Sequence, residues 1–131
     1  MNLNVEKILI IGLGMIGSSI ALASKSKGIK VYGFDKSNNS IKEALEKNII
    51  DSKVESILDI NSKDFVKKVD LIIVAVPPKQ TLDVLNDIKD IWNTDVTITD
   101  TSSVKNHIKL TDVSNIVLSH PIAGSDQSGI S

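Results

Sequence analysis

The chain has 131 residues, which suits one domain with a real core, and 41% of them are hydrophobic. It has no cysteine, which excludes disulfides, thiolate metal sites and a cysteine nucleophile and is consistent with a cytoplasmic location. A net charge of −1 without a basic stripe argues against a nucleic-acid partner, and the apolar runs are shorter than the roughly 20 residues that a membrane helix needs.

Short β-branched runs alternate with stretches of helical periodicity, which is typical of βαβ units. The pattern predicts, in chain order, a strand at Lys7–Ile11, a helix at Met15–Lys27, a strand at Lys30–Asp35, a helix at Ser37–Lys47, an edge strand at Ser56–Leu58, a strand at Asp70–Val76, a helix from Pro78 to about Lys89, a strand at Asp95–Thr99, a helix at Val104–Leu110 and a strand at Asn115–Leu118. We therefore predict an α/β fold with a doubly wound, mostly parallel sheet and helices on both faces.

Three predicted helices carry apolar residues at helical spacing, which we expect to face the sheet. These residues are Ile16, Ile20 and Ala23, then Ile41, Ala44 and Leu45, and finally Leu82, Leu85 and Ile88. Gly28 is expected to end the first helix, and Ser40 with Glu43 resembles a capping box for the second.

The sequence GLGMIG at residues 12–17 lies between the first predicted strand and its helix. A glycine triplet alone is weak evidence, but this context is the one that a dinucleotide-binding turn of the Rossmann type requires. Gly12 would permit the tight turn, Gly14 the approach of a pyrophosphate, and Gly17 close packing of the helix on the sheet. We expect the whole turn, at the positive end of the helix, to bind the cofactor: Gly12, Leu13, Gly14, Met15, Ile16 and Gly17.

Asp35 ends the second predicted strand, where an acidic residue accepts hydrogen bonds from the adenosine ribose. A 2′-phosphate would face a like charge there, which favours NAD over NADP. The neighbouring Lys36 could tolerate a phosphate, but the chain contains no arginine, the usual two-pronged phosphate ligand. The alternative role for Asp35 is that of a turn residue at a strand end.

Three further strand ends carry polar or proline-rich segments, namely AVPPK at 75–79, TDTSSVK at 99–105 and SHPIAGSDQSG at 119–129. Ligands of such sheets bind beyond the carboxyl ends of the strands. If the last three strands lie side by side, these segments meet where a nicotinamide ring would lie. We expect Val76, Pro77 and Ser102 to contact the cofactor there.

The chain resembles the prephenate/arogenate dehydrogenase family over essentially its whole length, with GLGMIGSSIA near the start, FD at 34–35, AVP at 75–77, DTSSVK at 100–105 and HPIAGSDQSG at 120–129. The pair DxxSVK and HPxAG is more specific than the glycine turn. The resemblance implies an NAD-dependent oxidoreductase of tyrosine biosynthesis. Such an enzyme converts prephenate to 4-hydroxyphenylpyruvate, or arogenate to tyrosine, with loss of CO2.

The resemblance also implies roles for individual residues. His120 would accept the proton of the ring hydroxyl, which a neutral imidazole can do, and Ser103 would hydrogen-bond the same hydroxyl. Ser125 and Asp126 would line the substrate pocket. The alternatives are structural: a strand-end histidine bonded to a backbone carbonyl, and serines that cap a helix. No metal site is expected.

By the same resemblance, residues 1–131 form the dinucleotide-binding domain, and the family's helical second domain, which dimerises and binds the substrate carboxylates, is absent from this chain. We expect a homodimer only in the full-length enzyme. Two other functions stay open: a non-catalytic NAD-binding module, and a different Rossmann-fold dehydrogenase such as a 3-hydroxyacid or imino-acid reductase. The HPIAG and DTSSVK segments disfavour the first, because a cofactor sensor has no use for a base beside the nicotinamide.

Overall fold

A computed structural model describes residues 5–101 and 121–123 of the chain. Their strands are β1 (Lys7–Ile11), β2 (Lys30–Phe34), β3 (Ser52–Lys53), β4 (Leu71–Val74), β5 (Thr97–Asp100) and β6 (Pro121–Ala123). Their helices are α1 (Met15–Ser26), α2 (Asn38–Glu46), α3 (Ile57–Ile60), α4 (Lys63–Val66) and α5 (Pro78–Asp87), followed by a 3-10 turn at Lys89–Ile91. None of these helices is long and apolar enough to cross a membrane.

The strands form one sheet in the order β3-β2-β1-β4-β5-β6, in which the first five are parallel and β6 runs antiparallel to β5. The predicted doubly wound, mostly parallel sheet is therefore confirmed. The chain leaves β1 toward β2 on one side and returns to β4 on the other. This reversal opens a crevice at the carboxyl ends of β1 and β4, where ligands of such sheets bind.

An aliphatic layer covers each face of the sheet. β1 contributes to both, because successive strand residues point to opposite faces: Leu9 and Ile11 to one layer, Ile8 and Ile10 to the other. The first layer packs against α3, α4 and α5, with Ile60, Phe65, Val84, Leu85 and Ile88, and the second against α1 and α2, with Ile20, Ala21, Ile41 and Ala44. Burial on both sides explains the uninterrupted apolar runs of β1 and β4.

The predicted edge strand at Ser56–Leu58 is wrong. The edge strand β3 lies earlier, at Ser52–Lys53, and Ser56 caps the short helix α3 instead. The Ser56 hydroxyl accepts a hydrogen bond from the Asp59 N–H at 3.3 Å, a local bond that favours a helix start over a strand. Leu58, which belonged to the predicted strand, is 77% exposed.

The second predicted helix is present, but its cap is Ser37 and not the predicted pair of Ser40 and Glu43. The Ser37 hydroxyl accepts from the Ser40 N–H at 3.3 Å, while the Glu43 carboxylate accepts from Lys47 Nζ at 2.7 Å. Gly28 follows the end of α1 with a positive φ of 82°, as a helix stop requires.

The prediction that Leu82 faces the sheet is wrong, because this side chain is 78% exposed. The predicted Leu85 and Ile88 are buried, and Thr81 and Val84 complete the buried face. The spacing of Leu82 to Leu85 fits a helical face, but α5 is rotated so that the Thr81–Val84 edge meets the sheet. Leu45 of α2 is likewise exposed, in contrast to Ile41 and Ala44. The predicted elements at 104–110 and 115–118 lie outside the described residues.

Candidate functional site

A cavity of about 580 Å³ occupies the crevice at the carboxyl ends of β1, β2 and β4. Seven of the residues predicted to bind the cofactor line it: Gly12, Gly14, Met15, Ile16, Asp35, Val76 and Pro77. Leu13 and Gly17 are buried behind it. The sheet topology thus brings together the glycine turn, the end of β2 and the end of β4, although these segments are far apart along the chain.

Each glycine of the turn has a different physical reason to be glycine. Gly12 has a positive φ of 103°, and a Cβ there would stand 2.6 Å from the carbonyl oxygen of Ala75. A Cβ on Gly17 would overlap the carbonyl oxygen of Gly12. Among the described residues, a Cβ on Gly14 would meet no heavy atom within 4 Å, so this glycine leaves open space in the cavity.

The N-terminus of α1 is directed at this space without a side-chain cap. Its N-cap residue, Gly14, makes no side-chain cap hydrogen bond, and the first turn of the helix carries no acidic residue. By contrast, α2, α3 and α4 begin with serine caps: Ser37, Ser56 and Ser62. The first N–H groups of α1, a helix of 12 residues, are therefore oriented to bind an anion from the cavity.

Asp35 joins the glycine turn to the end of β2. Its Oδ2 accepts a hydrogen bond from the Leu13 N–H at 2.8 Å, and its Oδ1 accepts from the Ser37 N–H at 2.8 Å. The carbonyl of Phe34 accepts from the Gly12 N–H at 2.8 Å, which continues the β1–β2 ladder into the turn. Each carboxylate oxygen keeps further acceptor capacity for hydroxyls of a ligand.

The wall opposite the turn comes from α3 and α5 and was not predicted as part of the site. Gln80, Val84 and Asp87 line the cavity from α5, and Ile57 lines it from α3. Their spacing of four and three residues places the α5 side chains on one helix face, which the sequence shows but does not distinguish from an ordinary half-buried face. The wall combines the apolar side chains of Ile57 and Val84 with the polar groups of Gln80 and Asp87, which suits a flat heteroaromatic ring.

Thr101 lines the cavity at the end of β5. It is buried, and its N–H donates to the Val74 carbonyl at 3.1 Å, which continues the β4–β5 pairing beyond the strand. On the neighbouring strand, Pro121 of β6 is the register partner of Thr99. The predicted residues Ser102, Ser103, His120, Ser125 and Asp126 lie outside the described part of the chain. Within the described part, no group of three or more His, Asp or Glu residues could hold a metal ion.

Comparison with known proteins assigns a family to this arrangement. A family model described as "Prephenate dehydrogenase, nucleotide-binding domain" matches residues 20–131. The prephenate dehydrogenase of Bacillus subtilis is 35% identical over 141 residues, covering 99% of this chain and 36% of that protein. The cyclohexadienyl dehydrogenase of Zymomonas mobilis is 36% identical over 131 residues, covering 95% of this chain and 43% of that protein.

Among solved structures, prephenate dehydrogenase from A. aeolicus in complex with hydroxyphenyl propionate and NAD+ is similar with a TM-score of 0.67 and 32% identity, covering 89% of this chain and 40% of that one. The chain thus spans 36% to 43% of the length of these relatives. The family match starts inside α1, after the glycine turn, which is a feature of dinucleotide-binding folds in general. The chain belongs to the prephenate dehydrogenase nucleotide-binding domain family.

Proposed function

We propose that the chain is the NAD-binding domain of an enzyme that oxidatively decarboxylates prephenate or arogenate. The observation that carries the proposal is the joining, in one cavity, of the uncapped α1 N-terminus and the Asp35 carboxylate. The first suits a pyrophosphate and the second a ribose diol. Support for the reaction comes from relatives named prephenate and cyclohexadienyl dehydrogenase, and support for the cofactor from the NAD+ of the A. aeolicus complex.

The lining of the cavity fits NAD part by part. The open space at Gly14 admits the pyrophosphate, and Asp35 accepts from the adenosine ribose. Ile57 and Val84 lie on the wall that would contact the adenine. Ala75, Val76, Pro77 and Thr101 lie at the other end, where β4 and β5 finish. When bound there, the nicotinamide supplies the acceptor for a hydride.

Asp35 favours NAD over NADP. A 2′-phosphate on the adenosine ribose would stand against a carboxylate whose two oxygens are already held by the Leu13 and Ser37 N–H groups. The carboxylate cannot turn away without breaking those bonds. Lys36, which also lines the cavity, offers a single flexible charge and not the bidentate fork of an arginine.

For the chemical step, we assign the proton to His120 and the orientation of the substrate to Ser103. The ring hydroxyl gives its proton to the imidazole of His120 while the carbinol carbon loses hydride, and the ring carboxylate then leaves as CO2 with aromatisation as the driving force. Ser103 donates to or accepts from the same hydroxyl. Ser102 contacts the cofactor, and Ser125 and Asp126 line the substrate pocket.

We further propose that the complete enzyme is a cytoplasmic homodimer whose helical second domain binds the substrate carboxylates. The 131 residues contain no arginine, so the usual bidentate clamp must come from another segment or be replaced by lysines. Relatives more than twice as long as this chain support the existence of further parts.

The proposal is tested by calorimetric titration of the chain with NAD and NADP, followed by an assay of NADH formation with prephenate and with arogenate. We expect NAD to bind more tightly than NADP. Turnover by the chain itself would assign the whole active site to these residues, whereas binding without turnover assigns it the cofactor half. If neither dinucleotide binds, the assignment of the turn and Asp35 is wrong.

A further inference from the structure

We infer that Asp35 is a positioning residue for the phosphate-binding turn as well as an acceptor for the ribose. This inference rests on the proposed nucleotide function and adds a second role to one carboxylate. Its basis is the 2.8 Å hydrogen bond from the Leu13 N–H to Asp35 Oδ2, which ties the middle of the glycine turn to the end of the neighbouring strand.

Leu13 is held at three points, and Asp35 supplies one of them. Its side chain is buried, packed near Gly33 in the layer beneath α1 and α2. Its carbonyl accepts from the Ser18 hydroxyl at 3.1 Å, inside the first turns of α1. Its N–H is bonded to Asp35 and so is directed at the end of β2. Together these contacts fix the peptide plane between Gly12 and Leu13, and with it the approach of the chain to Gly14.

Loss of the carboxylate would release this peptide plane. Gly12 has no Cβ to restrict it, and a free Leu13 N–H would seek water or the ligand. The helix N–H groups that follow Gly14 would then present a broader range of orientations to a phosphate. Asp35 therefore affects binding of the diphosphate through the turn, at a distance from the ribose that it contacts directly.

This coupling has a consequence for cofactor choice. A 2′-phosphate would repel the carboxylate and push it away from the Leu13 N–H. Binding of NADP would then be weakened both by the local repulsion and by a less well ordered pyrophosphate site. The same carboxylate would thus penalise NADP through two physically separate contacts.

Asp70 offers a matched control. Its Oδ2 accepts from the Glu6 N–H at 2.8 Å and from the Lys7 N–H at 2.9 Å. Like Asp35, it is an aspartate that accepts from two backbone N–H groups, but those of Asp70 lie at the amino end of β1, away from the cavity at the carboxyl ends of the strands. Substitution of Asp70 removes an equivalent pair of bonds without touching the site.

The experiment compares ADP with 2′,3′-dideoxy-ADP, which keeps the diphosphate and base but lacks both ribose hydroxyls. Affinities are measured by calorimetry for the wild-type chain, Asp35→Ala, Asp35→Asn and Asp70→Ala. We expect Asp35→Ala to lower the affinity for dideoxy-ADP by roughly five- to tenfold, about the effect of one lost charge-assisted hydrogen bond. Asp35→Asn, which keeps one acceptor oxygen, should lie between wild type and Asp35→Ala, and Asp70→Ala should leave both affinities within about twofold.

The sign of the change separates the two roles. If Asp35 acted through the ribose hydroxyls alone, its removal would leave the affinity for dideoxy-ADP unchanged. The affinity could even rise, because a negative charge near the diphosphate is lost. That result in Asp35→Asn, or in Asp35→Ala where it folds, overturns the positioning role while leaving the proposed function standing. If the wild-type chain binds neither ADP nor NAD, the proposed function itself fails.

Discussion

A Cβ on Gly17 would overlap the carbonyl oxygen of Gly12, so that α1 can lie this close to the turn only with glycine at position 17. The same Cβ would stand 3.3 Å from Cγ2 of Ile10 in β1. The obstacle on the turn side is backbone, which cannot be relieved by rotating a side chain. The contact therefore couples the position of the helix to the sheet and to the turn at once.

We expect Gly17→Ala to lower the free energy of unfolding by about 2–3 kcal/mol, because the helix must shift away from a packed core. Urea unfolding followed by far-UV circular dichroism measures the change. Gly28→Ala is the control, since a Cβ there meets no described atom within 4 Å and only the positive φ of 82° would strain the alanine. That control should lose about 1 kcal/mol, and equal losses in the two variants would contradict the packing argument.

Gly14→Ala should show the opposite separation of effects. The added Cβ meets no heavy atom of the described protein within 4 Å and the φ of Gly14 is −76°, which alanine adopts readily. The free energy of unfolding should fall by no more than about 1 kcal/mol, the cost of alanine as a poorer N-cap than glycine. The Cβ would enter space assigned to the pyrophosphate, so NAD affinity should fall at least about tenfold in a calorimetric titration. If this variant bound NAD with wild-type affinity, the pyrophosphate could not occupy the space next to Gly14.

Replacement of Asp35 by serine should narrow the preference for NAD over NADP. The substitution removes the carboxylate that faces the 2′ position and leaves Lys36 beside it. We expect the ratio of the two dissociation constants to change by at least about tenfold, mostly through weaker NAD binding. Asp70→Ser, at the amino end of β1 and away from the cavity, should leave the ratio unchanged. An unaltered ratio in Asp35→Ser would assign cofactor choice to another residue.

In a complete enzyme of the proposed kind, His120→Asn should lower turnover by at least about a hundredfold with little change in NAD affinity, because the proposed base is lost and the cofactor site is retained. Steady-state rates and a parallel NAD titration measure both quantities. His107→Asn is the control, because this second histidine, in the predicted helix at 104–110, has no proposed function, and the turnover of that variant should stay near wild type. Near-normal turnover in His120→Asn would rule out His120 as the base.

Asp51 should give the fold a pH-dependent contribution to stability. Partial burial raises its pKa, but the hydrogen bonds from the Val31 N–H and from Lys25, with the charges of Lys25 and Lys30, outweigh it and hold the pKa below the ordinary value. A carboxyl with a depressed pKa in the folded state stabilises the fold above its unfolded pKa of about 3.9, and the contribution is lost as the pH falls through the folded value.

Asp51→Asn should therefore destabilise the chain at neutral pH and progressively less as the pH falls below about 4. The loss at neutral pH should be below about 1 kcal/mol, because the carboxylate is partly exposed and screened by solvent. Denaturant unfolding at a series of pH values checks this. A difference between variant and wild type that does not shrink toward acid would show that Asp51 acts through shape and not through charge.

The order of the main elements and the glycine turn follow from the sequence alone. Strands buried on both faces carry uninterrupted apolar runs, and β1 from Ile8 onward and all of β4 show such a run where the structure buries them. The glycine spacing at 12–17 likewise states its own geometry, since only glycine tolerates the positive φ of Gly12 and the overlap at Gly17. These features depend on residues that are close together in the sequence, so they can be predicted without knowledge of the tertiary structure.

Only the tertiary structure decided which way each helix faces and which groups meet across the cavity. Leu82 and Thr81 both fit an amphipathic pattern, and the rotation of α5 on the sheet chose Thr81. The bond between Leu13 and Asp35 joins residues 22 positions apart, and Gln80, Val84 and Asp87 of α5 line the same cavity as the glycine turn. Such contacts depend on strand order and register, which periodicity within a single element does not encode.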